Sequence, residues 1–459
     1  SWRSRAEGFL SGIAFLFPMK NHGTVSEKAA WYMVGVLTLA YMFSFIDRQI
    51  LSLMVGPIQR DLGLSDTQFS LLHGFAFALF YTFMGIPIAR LADTRSRRTL
   101  IAAGIAIWSI ATTMGGFARN FAQLFTARIA VGVGEAALSP AAYSLLADQF
   151  PREKLGRAIS IYSSGVYIGI GLSFILGGVL VAGLEAAGGL TVPFLGTLKS
   201  WQATFMIVGL PGLLIALLVL TFKEPPRTAL HAVVTPSTTA TRQIIDWISH
   251  HRFLYASHFI GFALVALLFN AIMAWAPEFF IRIHSLERGD IGIKLGLITA
   301  IFGGAGIVCG GLYTDFLSRR GDLAAPMRAG MAGAAMLTPL AVAAPLVPDP
   351  QVSLILFCPM IFFASFPFGP AASALQMVTP PRMRAQISAV YLFFVNLLGI
   401  GFGGTATALV TDFVFRDGMM LHYSMATNAL LAGTFAVVLL ALSIKPFRHG
   451  HTEVLEALK

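Results

Sequence analysis

Charge is what this chain has little of. Only 12% of its residues are Asp, Glu, Lys or Arg, about half the share of a soluble domain, which argues against a water-bathed globule. Cysteine is nearly absent: Cys309 and Cys358 both fall inside apolar stretches. That excludes a disulfide framework and a thiolate metal site, and leaves the redox compartment undetermined. There is no Gly-x-x-x-x-Gly-Lys-Ser/Thr phosphate loop and no His-Glu-x-x-His pair, so nucleotide-driven work has no support. No nucleophile–base pair marks an enzyme. The expectation is no catalytic residue, no metal and no cofactor.

What is abundant is apolar. Of 459 residues 56% are hydrophobic, and 38 are Phe, a side chain suited to lipid tails. A ~30 Å hydrocarbon core takes about 20 residues per helix. Six such stretches lie near 31–56, 68–92, 98–118, 121–149, 156–183 and 201–222, and six more near 251–281, 290–317, 326–347, 351–378, 384–412 and 423–445. The fold class is therefore an all-α membrane protein with twelve transmembrane helices in two six-helix bundles. The expected division is an N-terminal segment 1–29, a bundle 30–222, a linker 223–250, a bundle 251–446 and a tail 447–459. The linker carries Glu224-Pro225-Pro226 and the Thr/Ser-rich run Thr235–Thr241. At the N-terminus, Arg3 and Arg5 precede an apolar run too short to span, read as an interfacial helix; Met19 is read as the natural start.

The net charge of +10 would suit nucleic acid in a soluble protein. Here its placement accounts for it, and no nucleic-acid partner is expected. With a cytoplasmic N-terminus, roughly 23 Lys and Arg fall inside and about 7 outside, as the positive-inside rule asks. The clusters are Arg95/Arg97/Arg98, Arg152/Lys154/Arg157, Arg319/Arg320 and Arg382/Arg384. Both termini are thus placed in the cytoplasm of a multi-pass plasma membrane protein (the inner membrane in a Gram-negative cell), expected to be a monomer.

The halves repeat. Ala89, Asp93, Arg97 and Arg98 after the second helix match Gly311, Asp315, Arg319 and Arg320 after the eighth, in one register. Phe150-Pro151-Arg152 and Ala158-Ile159-Ser160 after the fourth match Pro380-Pro381-Arg382 and Gln386-Ile387-Ser388 after the tenth. Duplicated six-helix units are typical of secondary transporters.

Ionisable groups deep in apolar stretches point to function, because each costs about 2.5–3.5 kcal/mol to insert and is tolerated where it faces a cavity or a partner. Asp47 and Arg48 lie in the first helix, Arg128 and Glu135 in the fourth. At 1.5 Å per residue, Asp47 is roughly 24 Å from Trp31 and Glu135 roughly 21 Å from Phe121, in helices of opposite sense. The two acids therefore lie at comparable depth. Helix neighbours point about 100° apart, so Arg48 is expected to reach Glu135 or a substrate anion rather than Asp47. Asp47 and Glu135, facing a central cavity, are assigned to proton coupling together with Arg48. A static ion-pair network is the alternative that the residues leave open. For Arg128 a reach toward headgroups is equally open.

In the second half Asn270, Glu278 and Asn396 are the polar candidates, beside Trp275, Phe362, Phe366 and Phe393. Arg48, Arg128, Glu135, Asn270, Trp275 and Asn396 form the expected substrate site: one acidic wall and one aromatic wall, suiting an amphiphile. His73 and His258 read as structural. Asp93 and Asp315 sit among arginines at helix ends, where they can accept from Arg97 or Arg319, or face the positive end of an opposing helix. A gate is expected from Asp93, Arg97, Arg98, Asp315, Arg319 and Arg384.

The small-x-x-x-Asp-x-x-x-Arg-Arg loops, with Arg128-x-x-x-Gly132, resemble the signature of the major facilitator superfamily. Phe45-Ile46-Asp47-Arg48, Gly132-Val133-Gly134-Glu135-Ala136, Phe150-Pro151-Arg152-Glu153-Lys154 and Trp275-Ala276-Pro277 with Arg282 resemble spinster-type transporters, a likeness running from Ala30 to Pro446. Ala89 and Thr94 depart from the first loop signature, and the fifth helix lacks the Gly-Pro pair of strict antiporters. The resemblance implies that Arg128 handles protons or substrate, that Asp93 meets helix 11 near Arg384, and that Asp315 meets helix 5 near Gly156. It also implies proton-gradient-driven alternating access moving a lysophospholipid or sphingoid lipid. Organic-anion symporters of the superfamily share Asp-Arg in helix 1, so that alternative stays open, as does drug efflux.

Overall fold

The structure is a computed structural model and describes residues 26–193, 196–227, 238–380 and 383–457. The interfacial helix, Met19, the Thr/Ser-rich run up to 237 and Arg382 lie outside the described residues.

Among the described residues, twelve helices are long and apolar enough to cross a membrane: Glu27–Leu53, Asp66–Thr94, Arg97–Gly115, Phe121–Gln149, Glu153–Ala186, Ser200–Val219, Arg252–Arg282, Arg288–Arg319, Ala325–Leu346, Pro350–Val378, Gln386–Phe415 and Gly418–Glu456. We number them 1 to 12. Local chemistry starts several of them. Ser26, Ser96, Asn120 and Asp349 accept from the first free N–H groups of their helices, and Ser65 forms a reciprocal box with Gln68; such caps satisfy donors the helix itself leaves unpaired. Apolar side chains such as Leu214, Leu217, Ile355 and Phe435 stand exposed on the flanks, as a lipid-facing surface requires.

Within the first half, span 1 packs on span 5 and span 3 on spans 4 and 6; within the second, span 12 packs on spans 7 and 9. The halves meet where span 5 lies on span 8 and span 2 on span 11. The repeat extends to an irregularity. Span 4 is broken at Ala136–Ala137, between Phe121–Glu135 and Leu138–Gln149, and span 10 at Phe366–Pro367, between Pro350–Ser365 and Phe368–Val378. Spans 2, 8 and 11 also widen into π-helical turns at Leu71–Phe75, Thr299–Gly303 and Val395–Gly401. Broken and bulged membrane helices are characteristic of transport sites, where backbone lines a cavity.

Three features differ from the sequence expectation. Residues 447 onward are not a separate tail: the last helix runs Leu421–Ala457 through Pro446, because Phe447 and Val454 are buried. The linker ends in a helix, Thr238–His250. Between spans 5 and 6 Leu190–Val192 pairs antiparallel with Gly196–Leu198, the only strands among the described residues.

Candidate functional site

Span 4 reaches the centre through glycine. A Cβ on Gly132 would lie 2.6 Å from the Phe77 carbonyl oxygen, and one on Gly134 2.7 Å from that of Gly104. Backbone therefore touches backbone on both sides, and Glu135, at the helix break, is carried against span 1.

Glu135 Oε2 accepts from Ser44 Oγ at 2.5 Å and from Arg48 Nε at 2.6 Å, with Arg48 Nη2 at 2.5 Å. Its Oε1 makes no hydrogen bond among the described residues. The Arg48 guanidinium lies over three rings, Phe45, Phe77 and Tyr81, at 4.8, 4.4 and 4.8 Å from their centroids. The second pair crosses the first. Asp47 Oδ2 accepts from Thr112 Oγ1 of span 3 at 2.5 Å, and Oδ1 stands 3.7 Å from Arg128 Nη1. None of the Arg128 side-chain nitrogens makes a hydrogen bond among the described residues. Arg128 thus turns inward rather than toward headgroups, drawn by the Asp47 carboxylate. Removing one member of such a buried pair leaves the other charge uncompensated, at a cost of about 3–5 kcal/mol.

The expectation that both carboxyls line an open cavity needs correction for this conformation. The Glu135 side chain is 0% and that of Asp47 5% accessible, against 12% for Arg48. Ion pairing holds both acids inside the first bundle, and the arginine is the member left accessible.

The second-half candidates are placed differently. Trp275 is buried, with Nε1 donating to the Gly404 carbonyl at 2.8 Å and its ring against Phe69; in this conformation it seals spans 7 and 11 rather than lining a cavity. Asn270 Nδ2 donates to its own helix at Ala266 O, 2.8 Å away. Asn396 is half-buried in the π-helical turn of span 11. His258 Nε2 lies 3.1 Å from Ala371 O among Phe259, Phe262 and Tyr391, while His73 lies in the π-helical turn of span 2.

A polar clamp that the sequence reading did not find joins the bundles at the end away from the termini. Arg282 of span 7 bridges to Asp66 of span 2 and also donates to Gln59 Oε1 at 3.2 Å. Glu278 Oε1 accepts from Arg282 Nε at 3.1 Å, so Glu278 is part of this buried cluster. Asp412 accepts from the Thr67 N–H at 2.7 Å, and Arg288 bonds Leu53 O and, at 3.3 Å, Glu185. Gln59, Asp66, Glu278, Arg282 and Asp412 line a recess of about 560 Å³. A roomier recess of about 800 Å³ lies between spans 3 and 4 among exposed Ile107, Ile110 and Met114; it carries no charge and belongs to the outer flank.

At the terminus-bearing end the gate residues do not meet across the halves. Asp93, Asp315 and Arg319 are exposed, and no described partner in the other bundle bonds them. Arg97 does not serve Asp93: its buried guanidinium binds Asp148, Ser144 and Glu224 Oε1, the last at 3.1 Å. A desolvated guanidinium takes the carboxylates within reach, and those come from span 4 and the linker. Arg98 Nη1 donates to Phe222 O at 2.9 Å, and Arg384 Nε to Thr379 O at 3.1 Å. Glu224 also accepts from Ser96 Oγ at 2.5 Å and from the Arg97 N–H at 2.9 Å. Partial burial pushes its carboxyl up, but the bonds from Ser96, Arg97 and Arg98 outweigh this and hold it below its ordinary value.

The family model of the Major Facilitator Superfamily matches residues 37–404. An MFS-type efflux pump of Mycolicibacterium smegmatis is 26% identical over 396 residues, covering 85% of this chain and 86% of that protein. A probable L-galactonate transporter of Escherichia coli is 24% identical over 420 residues, 88% of each chain. Among solved structures, a bacterial homolog of the human lysosomal transporter spinster, in an inward-facing and unoccupied conformation, superposes with a TM-score of 0.75 at 26% identity, covering 94% of this chain and 98% of that one.

Proposed function

The chain belongs to the major facilitator superfamily, and on that premise we propose that it is a proton-coupled secondary transporter of an amphipathic lipid-like substrate, of the lysophospholipid or sphingoid class. The observation that carries this reading is the crossed pair of ion pairs, Arg48–Glu135 and Arg128–Asp47, in the heart of one bundle. A proton arriving on Glu135 removes the acceptor that holds Arg48. The freed guanidinium, already partly accessible, then turns to the acidic headgroup of a substrate, while aromatic surface receives the tail. Proton binding and substrate binding are thereby coupled, and reciprocally so. The energy source is the proton gradient, and no cofactor takes part. Transport proceeds by alternating access, with both termini in the cytoplasm and the clamp at Asp66–Arg282 closing the outer side.

A second reading, proton-coupled symport of a small organic anion, is favoured by one point: the accessible face of Arg48 also suits a bare carboxylate. Efflux of hydrophobic drugs is a third. Proteoliposomes with an imposed pH gradient separate them. On the first reading a lysophospholipid moves with the gradient, and Asp47→Asn or Glu135→Gln abolishes that dependence. Uptake of sugar acids without amphiphiles establishes the second, and drug movement alone the third. Gradient-dependent flux unchanged in Asp47→Asn removes Asp47 from coupling.

A further inference from the structure

At the terminus-bearing end, remote from the crossed ion pairs, three ligand-type side chains converge. His250 ends the linker helix, His251 caps span 7, and Glu453 lies on the last helix. One ligand atom from each lies within 4.8 Å of the others. The two imidazole rings stand edge to face, 4.9 Å between centroids.

The surroundings of His251 are chemically unbalanced. Its Nδ1 lies 3.2 Å from the Trp247 carbonyl oxygen and its Nε2 2.9 Å from Glu453 Oε2. Both neighbours are acceptors. A neutral imidazole carries one N–H, so one nitrogen would turn its lone pair on an oxygen. A second proton resolves this, and so does a cation shared by Nε2 and the carboxylate. In the second case Nδ1–H stays on Trp247 O, which is how metal-ligating histidines are normally oriented by a carbonyl behind them. His250 distinguishes the two. An imidazolium–carboxylate pair has no use for another imidazole, whereas two imidazoles and a carboxylate make a zinc-type donor set with a fourth position open to water.

We propose that His250, His251 and Glu453 form a binding site for a zinc-class divalent transition-metal ion. Ligand atoms about 2.1 Å from a tetrahedral ion are about 3.4 Å apart, so Glu453 withdraws slightly from His251, now 2.9 Å away, while ligand atoms up to 4.8 Å apart draw in to that spacing. Its side chain is 39% accessible and His250 is exposed, so both the movement and the entry path are open. The bound ion fastens the linker's last residue and the first turn of span 7 to the last helix. His251 and Glu453 are 202 residues apart, which is why the expectation from sequence was no metal at all.

The test uses the full chain in detergent, purified without a polyhistidine tag and titrated with zinc chloride by calorimetry near neutral pH. One ion binds per chain, and His250→Ala and Glu453→Gln each weaken binding by about tenfold or more, since even outer-shell partners of a metal are worth that much. His250→Cys, which returns a zinc ligand, restores the affinity. Zinc raises the melting temperature of the wild type by mass action and, at the same concentration, raises that of the Ala and Gln variants less. Should the variants aggregate, carbethoxylation of wild-type histidines reads the same question: zinc shields His250 and His251. No binding by the wild type, equal binding by every form, or histidines that stay reactive under zinc overturns the site and leaves a plain imidazolium–carboxylate pair.

Discussion

Arg282 and Asp66 face one another across the junction of the two bundles as a two-pronged ion pair, Nη1 to Oδ2 at 2.7 Å and Nη2 to Oδ1 at 2.9 Å. Paired, planar bonds of this kind are stronger and more directional than a single contact. At the same end, buried apolar side chains of both halves, Phe279 and Phe280 in span 7 with Ile50, Leu53 and Phe69 in the first half, belong to one cluster. Charge and packing thus close the same end.

Replacing Asp66 with Asn should loosen that end. The pair is mostly buried, so a loss of about 3 kcal/mol is expected, the low end for breaking a buried pair, enough to move a two-state population by about 100-fold. Distances between spin labels on spans 2 and 7 at the far end should lengthen. An unaltered distance distribution would show that the clamp is not what holds this conformation.

The seam between spans 5 and 8 gives a steric counterpart. A Cβ on Gly171 would lie 2.8 Å from the Gly296 carbonyl oxygen and 2.9 Å from Ala300 Cβ. Gly171→Val should therefore oppose closure by about 1–3 kcal/mol, the usual cost of overfilling a packed site. Gly35→Val, where nothing lies within 4 Å, serves as the control. Equal effects from the two substitutions would refute the steric account.

Glu224 supplies a pH prediction. Its carboxyl is held below its ordinary value, so the charged form is favoured in the folded state. Such a group contributes stability above its unfolded value, and that contribution fades as pH falls through the depressed folded value. The strap from Glu224 to Ser96 and Arg97 should therefore be intact at neutral pH and release only in acid below the ordinary carboxylate range. Glu224→Gln should lower the melting temperature at neutral pH, with the gap to wild type narrowing in acid; a constant gap speaks against the ionised strap.

Phe447 tests the reassigned C-terminal helix. It is fully buried, and Phe→Ala at such a position costs about 3–5 kcal/mol. A melting temperature in detergent unchanged by Phe447→Ala would mean that the helix beyond Pro446 is not packed.

The pairing of Arg48 with Glu135 was legible in the sequence because both charges are isolated at similar depth, and an isolated buried charge must find whatever opposite charge is level with it. The twelve spans were legible for the same reason: long apolar runs have few other uses. The far-end clamp was not. Asp66, Glu278 and Asp412 lie near span ends, where charges are ordinary, and only coordinates reveal that they line one recess. Arg97 illustrates a different limit. Its motif position was clear, but whether it serves Asp93 or Asp148 depends on how span 4 and the linker fold back, which no local pattern encodes. Thr112 and Ser44 escaped for want of any signal, since a hydroxyl in an apolar helix commonly bonds its own backbone.

At the joint between the halves, Gly171 meets Gly296 and Gly178 meets Gly292 with scarcely a side chain between them. A seam made of main chain carries no chemical preference of its own. On the alternating-access reading, the lining that selects cargo can then be rewritten without disturbing this contact between the halves.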